Sequence, residues 1–181
     1  MKDLIRNLQE KKLVISKTDT LYGILALARE PELVERIYTV KERDKDKSLI
    51  VLISDIQQLE QLGINLTDTL VKKLNQYWPG PVTIILDLND TSPTQHIHRG
   101  KGNLAVRLPD DEYLRTVIRA TGPVVAPSAN KQGQAPATDI TEAQTYFGDL
   151  ISYYDDRGVC TNTKASTIIR IEGDTVITLR N

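Results

Sequence analysis

The segment Lys41-Glu42-Arg43-Asp44-Lys45-Asp46-Lys47 places a base at every odd position and an acid at every even one. In an extended chain alternate side chains share a side, so this spacing would line the bases up in a row. Such a row could grip a triphosphate, Arg43 through bidentate contacts and the lysines as point charges. The same pattern also fits a solvated, self-neutralising edge, and spacing alone does not choose between the two.

Two polar turns are the other candidates. Thr18-Asp19-Thr20-Leu21-Tyr22-Gly23 follows an apolar run and combines two hydroxyls, a carboxylate, a phenol and a glycine. Polar strand ends of this kind bind small polar ligands, although a Ser/Thr-type turn feeding the next strand would look the same. Pro127-Ser128-Ala129-Asn130 carries the same ambiguity. His96-Ile97-His98 would present two imidazoles on one face of a strand, but no acid or cysteine stands nearby, so they read as surface histidines and no metal site is expected. Cys160 is the sole cysteine, which excludes an intramolecular disulfide and a thiolate cluster and marks it as a small packed hydrophobe. There is no G-x-x-x-x-G-K-[ST] loop, no G-x-G-x-x-G at a strand-to-helix turn and no G-x-S-x-G, so any nucleotide site is built differently.

These residues need elements to hold them. Leu4, Ile5 and Leu8 share a helical face, and Leu13-Val14-Ile15 follows as a strand. Pro31 near its start, with Leu33, Ile37 and Val40 on one face, predicts a helix fraying near Lys41. Leu49 to Ile53, Val82 to Leu86, Leu104 to Arg107 and Pro123 to Ala126 read as strands, with helices over about 55 to 62, 67 to 77 and 112 to 120. The polar stretch Asn89 to Gly102 reads as a long loop. Thr138 is placed to cap a further helix. Ser166 to Ile171 and Thr175 to Leu179 flank Glu172-Gly173-Asp174 as a hairpin. Alternating helices and strands predict an α/β fold with an open mixed sheet.

Composition bounds the partners. Apolar residues are 40% of the chain and charged residues 26%, ordinary globular usage, with no repeat or linker, so residues 1–181 are expected to form a single domain. The opening MKDLIRNLQEKK is too interrupted by charge for a signal peptide or membrane span, which points to a cytosolic protein. Net charge is −1, so a polyanion site must be a local concentration of Lys and Arg.

Taken in order, Thr18-Asp19-Thr20-Leu21-Tyr22-Gly23, Lys41-x-Arg43-x-x-x-Lys47, Trp78-Pro79-Gly80-Pro81-Val82-Thr83, Ala105-Val106-Arg107-Leu108-Pro109, Ser128-Ala129-Asn130 and Ser166-Thr167 resemble the YrdC/TsaC family of threonylcarbamoyl-AMP synthases. The resemblance implies a twisted sheet with a concave, positively charged cavity. It implies the substrates L-threonine, bicarbonate and ATP, with Mg2+ carried largely by the nucleotide, and threonylcarbamoyl-AMP and pyrophosphate as products. The product would pass to a transferase complex that modifies tRNA. By motif, Lys41, Arg43 and Lys47 would contact phosphates, Asn130, Thr138, Ser166 and Thr167 the nucleotide, and Thr20, Arg107 and Ser128 the threonine. No residue is assigned a covalent role.

Two departures stand out. Lys17 replaces the family's usual proline before the Thr-Asp-Thr segment, which would loosen that turn and add charge near the threonine end. The chain also stops after the hairpin, like the short bacterial form. The resemblance leaves two alternatives: a non-catalytic module binding tRNA or other double-stranded RNA through the basic concavity, and a carbamoyl-adenylate-forming domain of the hydrogenase-maturation type.

Overall fold

Tyr22–Leu27 is buried at every position, the signature of a strand covered on both faces. It is strand β2 of a computed structural model that describes residues 1–161, 164–172 and 175–181. Along it Ile24 and Ala26 enter one core while Leu25 and Leu27 enter the other, as the two-residue period requires. Full burial of a branched apolar side chain contributes roughly 1.5–3 kcal/mol, so this strand anchors both layers.

The elements run α1 Lys2–Gln9, β1 Val14–Lys17, β2, α2 Pro31–Lys41, β3 Ile50–Leu52, a 3-10 helix Ile56–Leu62, α3 Asp68–Leu74 and β4 Val82–Asp87. They continue with α4 Gln95–His98, β5 Asn103–Arg107, α5 Glu112–Thr121, β6 Val124–Val125, α6 Ile140–Phe147, a 3-10 turn Gly148–Leu150, β7 Tyr153–Asp155, β8 Thr167–Glu172 and β9 Thr175–Arg180. All the strands join one sheet in the order β7-β1-β2-β6-β3-β5-β4-β8-β9. Pairs β1–β7, β3–β5 and β4–β8 are parallel and the others antiparallel, so the expected mixed α/β sheet is present.

Helix α2 begins with Pro31 in its first turn and buries Leu33, Ile37 and Val40, the face read from the sequence. Helices α1 and α5 cover the opposite layer: Leu4 and Leu8 meet Leu114, Val117 and Ile118 across Leu25 and Leu52. Cys160 is buried, as a packed hydrophobe should be. Among the described residues no helix is long and apolar enough to cross a membrane.

Several local expectations fail for identifiable reasons. The loop Asn89 to Gly102 contains α4, because Ile97 is fully buried and pulls one helical turn onto the core. His96 and His98 therefore lie on a helix, not a strand, and both are half-buried. The imidazole Nε2 of His96 lies 2.7 Å from the carbonyl oxygen of Ala28. Helix α3 stops at Leu74 rather than reaching residue 77. Strand β7, three residues long, has no sequence pattern to announce it. The hairpin strands form with Glu172 opposite Thr175, while the expected turn residues Gly173 and Asp174 lie outside the described residues.

Thr138 does not cap α6. Asp139 occupies the cap, its carboxylate accepting from the Glu142 N–H at 2.8 Å, and the Glu142 carboxylate reaches back to the Thr138 N–H at 2.9 Å and its hydroxyl at 3.2 Å. Carboxylate and hydroxyl compete for one position, and the residue with extended backbone directly before the helix wins. Asp139→Ala should therefore cost about 1 kcal/mol in urea unfolding. Thr138→Val, which keeps the N–H contact, should cost less than half of that.

Candidate active site

Four strand ends and two loops converge on a cleft of about 250 Å³. Thr20 comes from the β1–β2 turn, Arg43 from the loop after α2 and Arg107 from the end of β5. Ser128 follows β6, Ser166 precedes β8 and Arg180 ends β9. Residues far apart in the chain meet because β2 pairs with β6 and an isolated bridge continues that pairing to Gly23 and Ser128.

The Thr18–Gly23 segment is a hydroxyl-built turn. Thr18 Oγ1 donates to the Leu21 carbonyl at 2.7 Å and accepts from the N–H groups of Thr20 and Leu21 at 3.2 Å each. The Ser/Thr-turn reading of the segment holds, and the turn places Thr20 in the cleft lining. Asp19 reaches Arg107 at 3.1 Å, and both side chains are 5% exposed. Burial pushes the Asp19 carboxyl up, and Arg107 counteracts that shift. Burial pushes Arg107 down, with Asp19 restoring its charge. The Nε atoms of Arg107 and Arg43 are buried without a hydrogen-bond partner, a costly deficit that a bound acceptor would relieve.

The basic row does not exist as such. Helix α2 runs through Lys41, Glu42 takes a left-handed conformation with φ 53°, and Asp44–Lys47 turns on itself, with Asp46 N–H bonded to Asp44 Oδ1 at 3.0 Å. Parity is lost because burial of Tyr38 and Val40 extends the helix into the charged segment. Arg43 enters the cleft wall and donates to the Ser48 carbonyl at 3.1 Å. Lys45 turns away to Glu35 at 3.5 Å, and Lys47 is exposed, its carbonyl accepting from the Tyr38 hydroxyl at 2.8 Å.

Lys41 is 2% exposed and lies behind the cleft. Its Nζ donates to the Ser128 carbonyl, to the Asn130 carbonyl at 2.6 Å and to Asn130 Oδ1 at 3.3 Å. Asn130 is equally committed: Nδ2 donates to the Lys131 and Gln134 carbonyls at 2.9 and 2.8 Å, and Oδ1 accepts from Ser128 Oγ at 2.5 Å. Burial, joined by repulsion from Arg43, pushes the Lys41 ammonium down to about 7.

The structure thus brings Thr20, Arg43, Arg107, Ser128 and Ser166 to the cleft surface. Lys41 and Asn130 support it from behind. Lys47, Thr138 and Thr167 do not line it, Thr167 being tied by its N–H to the Pro81 carbonyl at 3.1 Å. Ser166 Oγ meets Thr83 Oγ1 at 2.8 Å, which gives the Trp78–Thr83 motif a role in supporting the floor. Lys17 sends Nζ to the Val159 carbonyl at 2.8 Å and does not line the cleft, so the expected extra charge there is absent.

Arg180 is the residue sequence reasoning missed. Its guanidinium donates to the Ser166 carbonyl at 3.2 and 2.8 Å and to Ser166 Oγ at 3.3 Å. Its only signal was a base closing the second strand of a hairpin whose first strand starts beside Ser166.

The depressed Lys41 sets a sign for pH dependence. An unfolded lysine titrates near 10.4, so from about pH 7 upward the folded protein holds fewer protons there than the unfolded chain, and stability rises with pH. Urea unfolding at pH 6.5, 8 and 9 should show wild type gaining stability relative to Lys41→Met with each step. A constant difference would mean that Lys41 stays fully charged.

Comparison with known proteins places this geometry. The Sua5_yciO_yrdC family, described as "Telomere recombination", matches residues 6–181. A putative threonylcarbamoyl-AMP synthase of Methanocaldococcus jannaschii is 33% identical over 93% of this chain and 79% of its own. The threonylcarbamoyl-AMP synthase of Bacillus subtilis is 32% identical over 96% of this chain, which spans 50% of that protein's length. Crystals of P. abyssi Sua5 complexed with L-threonine superpose with a TM-score of 0.89 at 30% identity, covering 99% of this chain and 53% of that one. With residues 6–181 matched by the family and a relative 33% identical over 93% of its length, the chain belongs to the Sua5/YciO/YrdC family.

Proposed function

We propose that the cleft condenses L-threonine, bicarbonate and ATP into threonylcarbamoyl-AMP and pyrophosphate. The observation that carries this reading is the division of charge among the cleft arginines. Arg107 is neutralised by Asp19, whereas Arg43 and Arg180 are held by carbonyl and hydroxyl oxygens and, among the described residues, by no carboxylate. A zwitterionic amino acid suits the neutralised part, beside the hydroxyls of Thr20 and Ser128. A triphosphate suits Arg43 and Arg180, which among the described residues form no direct ion pair, although Asp44 acts on Arg43 at longer range, and which offer planar forks to phosphate oxygens. Support comes also from the relatives named threonylcarbamoyl-AMP synthase and from the threonine bound to P. abyssi Sua5.

The chemistry asks for little beyond such a cleft. The threonine amine forms a C–N bond to the carbon of bicarbonate with loss of water, giving a carbamate. A carbamate oxygen then attacks the α-phosphate, and pyrophosphate leaves. Two anions must approach, and at ~4 Å their repulsion is about 4 kcal/mol at an effective dielectric of 20. Fixed guanidinium groups offset this term without reorganising, so positioning and charge carry the catalysis. Mg2+ would enter on the phosphates. Among the described residues no group of three His, Cys, Asp or Glu gathers to hold a metal ion. The mixed anhydride product is reactive, so it would pass directly to an enzyme that transfers the threonylcarbamoyl group to tRNA with release of AMP.

With ATP, Mg2+, bicarbonate and L-threonine, the protein should release pyrophosphate and form an adenylate retaining the threonine carbons. Release independent of threonine would overturn the assignment. Arg43→Ala should weaken ATP roughly tenfold or more, the value of a lost charge-assisted contact. Lys45→Ala should change it less than twofold. Equal, strongly salt-screened losses for both would indicate general polyanion binding, and favour an RNA-binding role instead.

A further inference from the structure

The five residues after β7, Asp156 to Cys160, bond to the first polar turn, to Lys17 beside it and to Thr138, eight residues beyond the second turn. The Arg157 N–H donates to the Tyr22 hydroxyl at 3.1 Å, and that hydroxyl donates to the Gly158 carbonyl at 2.9 Å. Lys17 Nζ reaches the Val159 carbonyl, and the Cys160 N–H donates to the Thr138 carbonyl at 2.7 Å. Tyr22 and Lys17 bracket the Thr18–Leu21 turn, while Thr138 adjoins Ala137, whose N–H donates to the Ala129 carbonyl of the second turn at 2.9 Å.

Arg157 fastens this arrangement. Its Nη1 donates to the Lys17 carbonyl at 3.1 Å and to Asp111 Oδ2 at 2.8 Å, and its Nη2 lies 3.3 Å from Asp111 Oδ1. The guanidinium stacks 4.1 Å from the Tyr113 ring centroid, and Tyr113 in turn donates its hydroxyl to buried Asp155 at 3.0 Å. Asp111 is itself fixed as the cap of α5 through the Leu114 N–H at 3.0 Å. A planar fork held on three sides by carboxylate, carbonyl and aromatic face is a rigid joint that a lysine ammonium would not reproduce.

We propose that Asp156–Cys160 is a clasp joining the Thr18–Gly23 turn to the segment that follows Asn130, and that Arg157 is a positioning residue for the threonine end of the cleft. On the cleft side Arg107 holds the turn through Asp19, and on the far side Arg157 holds it through the Lys17 carbonyl. Thr20 hangs between these two grips. Lys17 belongs to the clasp: its side chain closes on Val159 while its carbonyl receives Arg157. The clasp takes the place of a rigid backbone at position 17 and holds the turn that a lysine there would otherwise loosen.

The kinetic part of the test rests on the proposed reaction, so a second readout is independent of it. In Arg157→Met the Thr20 and Leu21 amides, which close the turn, should exchange with solvent roughly tenfold faster, while Ile84 in β4 is unchanged. Threonine KM should rise about tenfold, with ATP KM and kcat within about threefold, and Arg157→Lys should recover only part of the threonine KM. Unchanged exchange at Thr20 and Leu21 would overturn the clasp. So would a joint rise in both KM values with a fall in melting temperature, which marks general destabilisation. If wild type shows no threonine-dependent pyrophosphate release, the reaction assignment fails, and the exchange measurement alone decides the clasp. Should Arg157→Met not fold, Lys17→Met cuts only the Val159 contact, and faster exchange at the same two amides supports the clasp while unchanged exchange overturns it.

Discussion

A buried ammonium with no carboxylate beside it is the constraint on which the site is built. Lys41 sits at the last turn of α2, and all three of its protons meet neutral oxygens of Ser128 and Asn130. Removing a charge from water is costly, so those oxygens must be held where the ammonium needs them. Asn130 is held by its own amide bonds to Lys131 and Gln134, and Ser128 by its bond to Asn130 and its bridge to Gly23. One contact thereby fixes the end of α2 against the loop after β6 and, through Gly23, against β2. The orientation of Ser128 in the cleft follows from it, as does the point at which Arg43 leaves the helix.

The two kinds of cation do different work. Lys41 is a point charge wrapped by a loop. The arginines are planar forks with donors to spare, so each holds protein oxygens without exhausting its hydrogen-bonding capacity. Arg180 illustrates the difference: three contacts to Ser166 leave its outer edge open along the cleft. A lysine at position 180 would have to choose between the strand and a ligand.

Much of this was legible locally, and the illegible part is non-local. The period of Leu33, Ile37 and Val40 predicted α2 because burial of one helical face leaves a 3.6-residue trace in any sequence. The run at Leu49 to Ile53 was readable because a strand buried on both faces is apolar without a break, and the hairpin because two β-rich runs flank a short polar turn. The hydroxyl clusters at Thr18–Thr20 and Ser128 were readable as site candidates from residue type alone. The alternating bases misled, since parity means a shared face only in extended backbone, and Glu42 gives no hint of its left-handed turn the way a glycine would. That Lys41 and Asn130 bond to each other was not legible, because spacing does not encode which donors already have partners. Arg180 and Arg157 were invisible: their partners lie 14 and 46 residues away or more, and only the sheet order brings them together.

The near-neutral net charge, finally, coexists with the gathering of Arg43, Arg107 and Arg180 at one cleft because several acids are engaged elsewhere. Asp55, Asp111 and Asp139 cap helices, where the exposed N–H groups and the helix dipole favour a carboxylate. Glu35, Glu42 and Glu112 pair with Arg99, Lys131 and Arg115 away from the cleft lining. Asp19 is the exception, and it faces the one arginine whose charge a zwitterionic ligand would not need in full. The others are thus engaged at helix ends or by bases outside the cleft, while Arg43 and Arg180 hydrogen-bond to the carbonyls of Ser48 and Ser166. A net charge near zero therefore does not exclude a local concentration of arginine at the cleft.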